Sequence, residues 1–310
     1  MITERAKVNH LISRGAHLAV DPDKVADFEA LGHTVSFDAQ EALERATVVV
    51  DCTPAGNENK KLYETLSGPR GFLAQGSEYG FGKPYAMGIN DEALIHGQDR
   101  FLQIVSCNTH NISVLLKTLA WRDGKMNLAA GRFVCMRRAN DVSDEKNFIA
   151  SPEAGKHDDP EFGTHHARDA FHLFQTLGEK LNLFSSAIKI NTQYMHTLWF
   201  DLELGFKTTL DEVKLAFRNN TRVACTQRRS INQIFSFGRD HGYFGRIFSQ
   251  TVMPLNTISV PHPEKVVGFC YTPQDGNSLL SSVAATLRLL DEKKLEERID
   301  VLRPYIFREI

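Results

Sequence analysis

A cysteine followed directly by polar residues is the strongest candidate for chemistry in this chain. Cys107 stands in the sequence IVSCNT, after a predicted strand at residues 102–106 and before a predicted helix. The partial positive charge of a helix N-terminus favours a thiolate. The N–H groups of Asn108 and Thr109 can bind the oxyanion that forms when the sulfur attacks a carbonyl. The position therefore suits a nucleophile that oxidises aldehydes through a hemithioacetal and a thioester, but a buried structural cysteine is the commoner case for a cysteine between strand and helix, and both stay open on these residues alone.

The other four cysteines predict neither a disulfide framework nor a zinc site, because they are scattered without pairs. Cys135 and Cys270 lie inside apolar runs, Cys52 ends one, and Cys225 follows two apolar residues. A free cysteine in such surroundings behaves as a small hydrophobic residue. We therefore expect all four to be buried.

The composition is that of an ordinary globular chain, with 310 residues and a formal net charge of −2. Charges form no long run of one sign, so no nucleic-acid-binding stripe is expected. No apolar run approaches the roughly 20 residues of a membrane span, and the N-terminus lacks the apolar core of a signal peptide. We expect a soluble, cytoplasmic protein that binds small molecules, anionic substrates included, and neither nucleic acid nor membrane.

The elements before Cys107 alternate between helix and strand. Predicted helices cover residues 21–31, 38–45 and 56–66, and predicted strands cover residues 34–37, 47–52, 71–76 and 102–106. This alternation is typical of a Rossmann-like, doubly wound parallel sheet of the α/β class, which binds ligands at the carboxyl ends of its strands.

After Cys107 the pattern changes to longer strands separated by helices. Predicted strands cover residues 132–138, 186–190, 196–203, 257–260 and 266–271, and predicted helices cover residues 111–121, 165–181, 210–217, 231–237 and 278–290. This order indicates an α+β catalytic domain with a mixed or antiparallel sheet. We expect an incomplete dinucleotide-binding domain at 1–106, a catalytic domain at 107–275, and a C-terminal helix within 276–310 that packs back on the first domain.

Three motifs, in order, carry a resemblance to a known family. They are DCTPAG at residues 51–56, QGSE at 75–78 and SCNT at 106–109. They resemble the DCTPEG, QGGE and VVSCNT of the archaeal-type (type II) glyceraldehyde-3-phosphate dehydrogenases. Further matches extend the resemblance over nearly the whole chain: Arg137, Arg138, His165, His166, Met195, His196, Gln274 and Asp275.

The resemblance implies an NAD- or NADP-dependent oxidoreductase of glycolysis or gluconeogenesis. Its substrates would be glyceraldehyde-3-phosphate, a small phosphorylated aldehyde, and inorganic phosphate, and its product 1,3-bisphosphoglycerate. The resemblance also implies a homo-oligomer, a tetramer. The choice between NAD and NADP stays open, because the strand end that usually makes this choice is absent from the chain.

The resemblance further implies roles for individual residues. Cys107 is the nucleophile, and His196 is the general base that deprotonates it, since the pKa of histidine suits proton transfer near neutral pH. Binding of the two phosphates is implied for Ser106, Asn108, Thr109, Arg138, His165 and His166. Contact with the nicotinamide cofactor is implied for Thr53, Pro54, Gly76, Ser77, Arg138 and Gln274.

Other interpretations of these residues stay open. His196 heads an apolar strand, so it can also be a buried core histidine without a catalytic role. Arg137 and Arg138 point to opposite faces of a strand, so we expect only one of them to face the site. The adjacent histidine pair and His172 lack a further ligand at a convincing spacing, so no metal is expected. Residues 238–242 predict a helix end and turn whose charges can reach a pocket.

The chain departs from the family at three places. The family's first βαβ unit, with its Gly-x-Gly-x-x-Gly turn, has no counterpart. A start drawn too late, a truncated gene and a loss of cofactor binding are the three explanations. The first is favoured because a parallel sheet without its central strands would expose apolar edges, and the later motifs argue against a loss of function. Ser77 replaces a glycine of QGGE, and His110 follows SCNT, where it can alter the thiol pKa or the substrate. The rival functions are another semialdehyde dehydrogenase with the same thioester chemistry and a pseudoenzyme that kept the fold.

Overall fold

The computed structural model describes residues 4–140, 149–192, 194–291 and 295–310. The helices are α1 (Arg5–Ile12), α2 (Val25–Ala30), α3 (Ala39–Arg45), α4 (Gly56–Tyr63), α5 (Cys107–Leu119), α6 (His165–Gln175), α7 (Leu210–Asn219), α8 (Ile231–His241), α9 (Leu279–Asp291) and α10 (Leu295–Asp300). The strands are β1 (Ala19–Val20), β2 (Phe37–Asp38), β3 (Val48–Asp51), β4 (Gly71–Gln75), β5 (Lys83–Tyr85), β6 (Phe101–Ile104), β7 (Trp121–Arg122), β8 (Lys125–Met126), β9 (Leu128–Arg137), β10 (Glu153–Ala154), β11 (Leu183–Lys189), β12 (His196–Leu204), β13 (Val223–Thr226), β14 (Thr251–Pro254), β15 (Ser259–His262) and β16 (Lys265–Thr272).

The chain before α5 forms a parallel sheet. β3, β4, β6 and β5 lie side by side in that order, and each pair is parallel. β4 is buried along nearly its whole length, as a strand covered on both faces must be. Helix α9 covers part of this sheet, where Ala284 joins Leu73 and Leu102 in one buried cluster. The carboxyl ends of β4 and β6 therefore meet at the edge from which α5 begins.

The chain from α5 onward forms a separate, mixed sheet. Its order is β10-β11-β9-β12-β16-β14-β13, and β15 also pairs with β16. β12 is antiparallel to β9 and to β16, whereas β11 is parallel to β9. Leu115 of α5 and Leu173 of α6 share a core with Phe133 and Phe200 of the sheet. A parallel α/β sheet beside a separate mixed sheet confirms the fold class expected from the sequence.

Element boundaries differ from the expectation where the sequence pattern is weak. α5 begins at Cys107 instead of near Asn111, and α6 ends at Gln175 because the chain turns at Gly178, whose φ is +82°. β2 covers two residues instead of the stretch 34–37. The short strands β5, β13 and β14 were not predicted, because three or four residues are too few to show a period.

One buried carboxylate holds the turn between β3 and α4. Asp51 is 4% exposed and accepts hydrogen bonds from the Thr53 N–H (2.8 Å), Thr53 Oγ1 (2.7 Å), Asn59 Nδ2 (2.9 Å) and the Tyr63 hydroxyl (2.8 Å). Burial raises the pKa of Asp51, but these hydrogen bonds outweigh burial, so the pKa lies below its ordinary value. The aspartate of the DCTPAG motif therefore fixes the path of the chain into α4.

Replacing Asp51 with asparagine should lower the free energy of unfolding by about 1–3 kcal/mol near neutral pH, because an amide cannot accept all of these hydrogen bonds. Urea denaturation measures the loss, and Asp27→Asn on the exposed side of α2 is the control. Because the folded-state pKa is lowered, the carboxylate stabilises the fold above its ordinary pKa of about 4. This stabilisation is lost as pH falls through the folded-state pKa, so the difference between wild type and variant should narrow in acid. A difference that does not change with pH would contradict this account.

Candidate active site

The first turn of α5 holds Cys107 at the end of β6. Ser106 is the N-cap residue, and its Oγ accepts a hydrogen bond from the Thr109 N–H at 3.3 Å and pairs with the Thr109 hydroxyl at 2.8 Å. Asn277, just before α9, donates from Nδ2 to the Cys107 carbonyl at 2.8 Å. Cys107 is thus the first helical residue, anchored through both its N-cap and the segment that leads into α9.

Burial dominates the acidity of this thiol. Desolvation raises the pKa of Cys107 to about 11, although the Asn108 N–H and the positive charges of Arg138 and Arg137 favour the thiolate. The sequence predicted an acidic thiol from the helix N-terminus alone, and that effect is outweighed here. Cys107 is therefore a protonated thiol near neutral pH.

His196 is the first residue of β12 and lines the same space as the thiol. Its ring Nδ1 accepts a hydrogen bond from the Arg138 backbone N–H at 3.1 Å. The backbone N–H of His196 donates to Gln274 Oε1 at 3.3 Å. Because a backbone N–H can only donate, the neutral ring carries its hydrogen on Nε2. The ring therefore presents a donor at Nε2, whereas the general-base role implied by the resemblance requires an acceptor.

Cys107 lies between two cavities. The arginine cavity has a volume of ≈ 700 Å³ and is lined by Arg138, Arg239, Arg246 and Asp275, among others. The histidine cavity has a volume of ≈ 360 Å³ and is lined by Arg137, His165, His166, Ser106 and Asn108, among others. Cys107, His196 and Gln274 line both cavities. The structure thus brings together most of the residues implied for catalysis and phosphate binding around one sulfur.

Three arginines give the arginine cavity its positive charge. Arg138 pairs with Asp275 at 3.5 Å, and Arg239 pairs with the neighbouring Asp240 at 2.8 Å. Arg239 belongs to the segment whose charges were expected to reach a pocket, and it does line this one. Arg246 was missed from the sequence. It reaches the cavity after a turn in which Phe244 has φ +49° and Gly245 has φ +74°, and no motif signals that turn.

The histidine cavity adjoins a cleft of ≈ 350 Å³ that also contains Lys156 and Arg168. Burial lowers the pKa of His165 to about 4, and burial beside His165 and Arg137 holds the pKa of His166 well below its ordinary value. Both rings are therefore neutral near neutral pH, and arginine and lysine side chains supply the positive charge.

Arg137 and Arg138 adjoin different cavities. Arg137 lines the histidine cavity, and Arg138 lines the arginine cavity. The expectation that only one of the two would face the site was wrong. β9 ends at Arg137, so the strict alternation of side chains in a strand no longer applies to its neighbour.

The turn after β4 faces the thiol from the parallel sheet. Gly76 and Ser77 line the histidine cavity, and Gln274 and Ser278 line it as well. Gly76 has φ +79°, and among the described residues no atom lies within 4 Å of where a Cβ would stand. The cavity is in the size range of small-molecule sites and is open at a turn that glycine favours, so it fits the nicotinamide end of a dinucleotide.

Three residues implied by the resemblance line neither cavity in the described part of the chain. Thr109 is fully buried beneath the N-cap residue. Thr53 and Pro54 are exposed at the end of β3, one strand away from the turn at Gly76. Thr109 therefore supports the first turn of α5 from behind and does not face either cavity.

The remaining cysteines divide into an exposed one and three buried ones. Cys135, Cys225 and Cys270 are buried, as expected. Cys52 is exposed, so the prediction for this residue was wrong. The strand β3 ends at Asp51, and Cys52 therefore already belongs to the turn.

His110 does not act on the thiol as a charge. Its ring is fully buried, with Nδ1 at 3.0 Å from the Ser106 carbonyl oxygen and Nε2 at 2.8 Å from Ser281 Oγ. Ser281 Oγ also accepts the Met87 N–H at 3.0 Å. Burial lowers the pKa of His110 to about 4, so the ring is neutral and joins α5 to α9.

Within residues 4–140, 149–192, 194–291 and 295–310, no group of three or more histidine, cysteine, aspartate or glutamate side chains is arranged to hold a metal ion. In the same ranges no helix is long and apolar enough to cross a membrane.

Comparison with known proteins shows which sequences this chain is similar to. The chain is 30% identical over 219 residues to glyceraldehyde-3-phosphate dehydrogenase 1 of Methanosarcina barkeri, which covers 69% of this chain and 61% of that protein. It is 31% identical over 223 residues to glyceraldehyde-3-phosphate dehydrogenase of Methanococcoides burtonii, covering 68% and 60%. With glyceraldehyde-3-phosphate dehydrogenase of Metallosphaera sedula it shares 27% identity over 257 residues, covering 79% and 71%. No protein-family model matches the chain.

The fold and the site define a protein with a Rossmann-like parallel sheet, a mixed sheet and a cysteine at the helix that joins them. The chain is similar to several archaeal glyceraldehyde-3-phosphate dehydrogenases at 27–31% identity, a divergent and partial match that confirms the resemblance recognised in its motifs. It spans 60–61% of the length of the first two of these relatives.

The high pKa of Cys107 predicts slow alkylation near neutral pH and a rate that rises with pH toward about 11. Iodoacetamide labelling followed by peptide mass spectrometry measures the rate at Cys107 separately from that at the exposed Cys52. Cys107→Ser identifies the peptide signal. A rate at Cys107 that levels off below about pH 8.5, the value for an unperturbed thiol, would show that burial does not control this sulfur.

Proposed function

We propose that this chain catalyses the phosphorylating oxidation of glyceraldehyde-3-phosphate to 1,3-bisphosphoglycerate with NAD or NADP. The observation that carries the proposal is the position of Cys107 between two cavities that each contain positive side chains. A reaction that moves an acyl group from sulfur to phosphate needs one anion site for the substrate and another for the attacking phosphate. Guanidinium groups suit both anions.

In the proposed reaction, bonds form and break at the Cys107 sulfur. The thiol loses its proton to solvent, the sulfur bonds to the aldehyde carbon, and the carbonyl oxygen becomes an oxyanion. The carbonyl re-forms as hydride leaves, which gives an acyl thioester. An oxygen of phosphate then bonds to the acyl carbon, the carbon–sulfur bond breaks, and the acyl phosphate departs from a Cys107 thiolate.

His196 acts in this proposal as a donor to the oxyanion. Its Nδ1 accepts from the Arg138 N–H, so the neutral ring carries its hydrogen on Nε2. A donor placed where negative charge develops typically contributes about 10²–10³ in rate. The Asn108 N–H, directed at the sulfur, stabilises the thiolate that starts and ends the cycle.

A bound nicotinamide would supply the hydride acceptor. Gly76, Ser77 and Gln274 would hold it, since they line the histidine cavity beside Cys107. Thr53 and Pro54, at the end of the neighbouring strand, are assigned to the same cofactor. Arg138 is assigned to the cofactor and to a phosphate, with His165 and His166 on the second phosphate.

The organisation of the protein follows the same proposal. We assign residues 1–106 to the cofactor domain, 107–275 to the catalytic domain, and the C-terminal helix to the cofactor domain, on which α9 packs. We also propose, from the resemblance, that the protein acts in the cytoplasm as a homotetramer.

Replacing Cys107 with serine should abolish phosphate-dependent reduction of NAD or NADP by glyceraldehyde-3-phosphate, because an alkoxide is a far poorer leaving group than a thiolate. Absorbance of the reduced cofactor measures turnover with and without inorganic phosphate. Cys52→Ser, on an exposed thiol outside both cavities, is the matched control and should keep wild-type activity.

The same assay separates the rival functions. Turnover of aspartate semialdehyde with phosphate, but not of glyceraldehyde-3-phosphate, would favour the semialdehyde dehydrogenase. No turnover of either aldehyde by the wild-type chain would favour the pseudoenzyme. Either result would reject the proposed substrate.

A further inference from the structure

We propose that a buried chain of hydrogen bonds, running from Cys270 through Asn111, Thr272 and Asn108, positions His166 as an Nδ1–H donor to an oxyanion in the histidine cavity. Asn111 and Thr272 are positioning residues in this inference, because they act on the anion only through Asn108 and His166. The inference deepens the proposed function, and rests on it for the identity of the oxyanion as phosphate.

The direction of the chain is set at its buried end. Cys270 is fully buried, and burial raises the pKa of its thiol to about 12, so it remains protonated. Its S–H donates to Asn111 Oδ1 at 3.3 Å. Asn111 is also fully buried, and with its oxygen occupied it turns its amide nitrogen to Thr272 Oγ1, at 2.7 Å. The Thr272 hydroxyl therefore accepts from Asn111.

The next two links follow from the first two. A hydroxyl that accepts from an amide has its own hydrogen to give, and Thr272 Oγ1 donates to Asn108 Oδ1 at 3.1 Å. The Asn108 side chain then presents its nitrogen to His166 Nε2, at 3.5 Å. Because that nitrogen can only donate, Nε2 is the acceptor, and the neutral His166 ring carries its hydrogen on Nδ1.

The Nδ1 atom of His166 is the end of the chain of hydrogen bonds, and a ligand would supply the acceptor that it lacks. The residue is 3% exposed, and its Nδ1 has no hydrogen-bond partner in the part of the chain that the structure describes. A buried donor without a partner is costly, and its cost is relieved when an acceptor binds. His166 lines both the histidine cavity and the cleft that contains Lys156.

The surroundings of this donor suit an oxyanion. His166 lies in the first turn of α6, where the helix N-terminus carries partial positive charge. Arg137 lines the same cavity with its fixed charge, and His165 beside it is neutral. An acceptor-only ligand such as phosphate matches a donor at Nδ1, whereas the opposite tautomer would present a lone pair and repel it.

The relay makes a specific prediction for residues that never touch the ligand. Thr272→Val keeps the shape of the side chain but removes the hydroxyl, so Asn108 Oδ1 loses its donor. The Asn108 amide is then free to exchange its oxygen and nitrogen positions, and His166 can hold its hydrogen on Nε2. Thr272→Ser keeps the hydroxyl and is the matched control.

The test is long-range ¹H–¹⁵N NMR of the ring nitrogens in the full chain labelled with ¹⁵N-histidine, with His166→Gln to assign the signals. In the wild type, His166 should be neutral with hydrogen on Nδ1, and titration with inorganic phosphate should shift its signals. In Thr272→Val, an Nε2–H signal should appear, and the phosphate concentration at half-saturation should rise about tenfold, the cost of one lost hydrogen bond to a charged group. Thr272→Ser should behave as the wild type.

Three results would overturn the inference. One is a wild-type spectrum with hydrogen on Nε2, which decides the matter even if the valine variant does not fold. Another is an unchanged tautomer in Thr272→Val. The third is a changed tautomer with unchanged phosphate binding. Failure of the proposed function is distinguishable, since it would leave the tautomer and the phosphate titration intact while the wild type shows no turnover of glyceraldehyde-3-phosphate.

Discussion

The structure depends on one constraint, which is that the residues after Cys107 in the first two turns of α5 are mostly polar and yet buried. Five side chains there expose 1% of their surface or less: Asn108, Thr109, His110, Asn111 and Ser113. Buried polar groups need hydrogen-bond partners, and Asn108, Asn111 and His110 find them on α6, on β16 and on α9, respectively. The helix that carries Cys107 is therefore joined to three other elements by polar contacts whose geometry is directional. Apolar packing alone would leave its rotation far less defined.

Burial, more than local charge, sets the protonation of this site. It raises the pKa of Cys107 and lowers those of His110 and His166, so three groups that titrate near neutrality in water are neutral here. Positive charge is left to arginine and lysine side chains, and the guanidinium groups of the arginines stay ionised under these conditions. A site of this kind suits anions, which would be held by fixed cations and oriented N–H dipoles. Its histidines are then defined by which nitrogen bears the hydrogen.

Local patterns predicted much of the fold and the centre of the site, because they have short-range causes. The β-branched run before Asp51 and the cap before Cys107 act over a few residues, and α3 and α6 begin where the sequence indicated. The motifs also brought His166 and His196 into view. What could not be predicted depends on contacts distant in sequence. Arg246 reaches its cavity through a left-handed turn, and the pKa of Cys107 depends on how deeply the whole fold buries it.

Because the Cys107 sulfur can be approached from two cavities, the proposed substrate and the attacking anion would have separate places to bind. In the proposed reaction the acyl group on Cys107 would extend into one cavity while the attacking anion enters the other, so neither would have to leave before the next step. Such a site can be entered from two sides. In the proposed reaction, the turnover rate would depend on how often both cavities are occupied at the same time. A ligand held in one cavity would not block entry to the other.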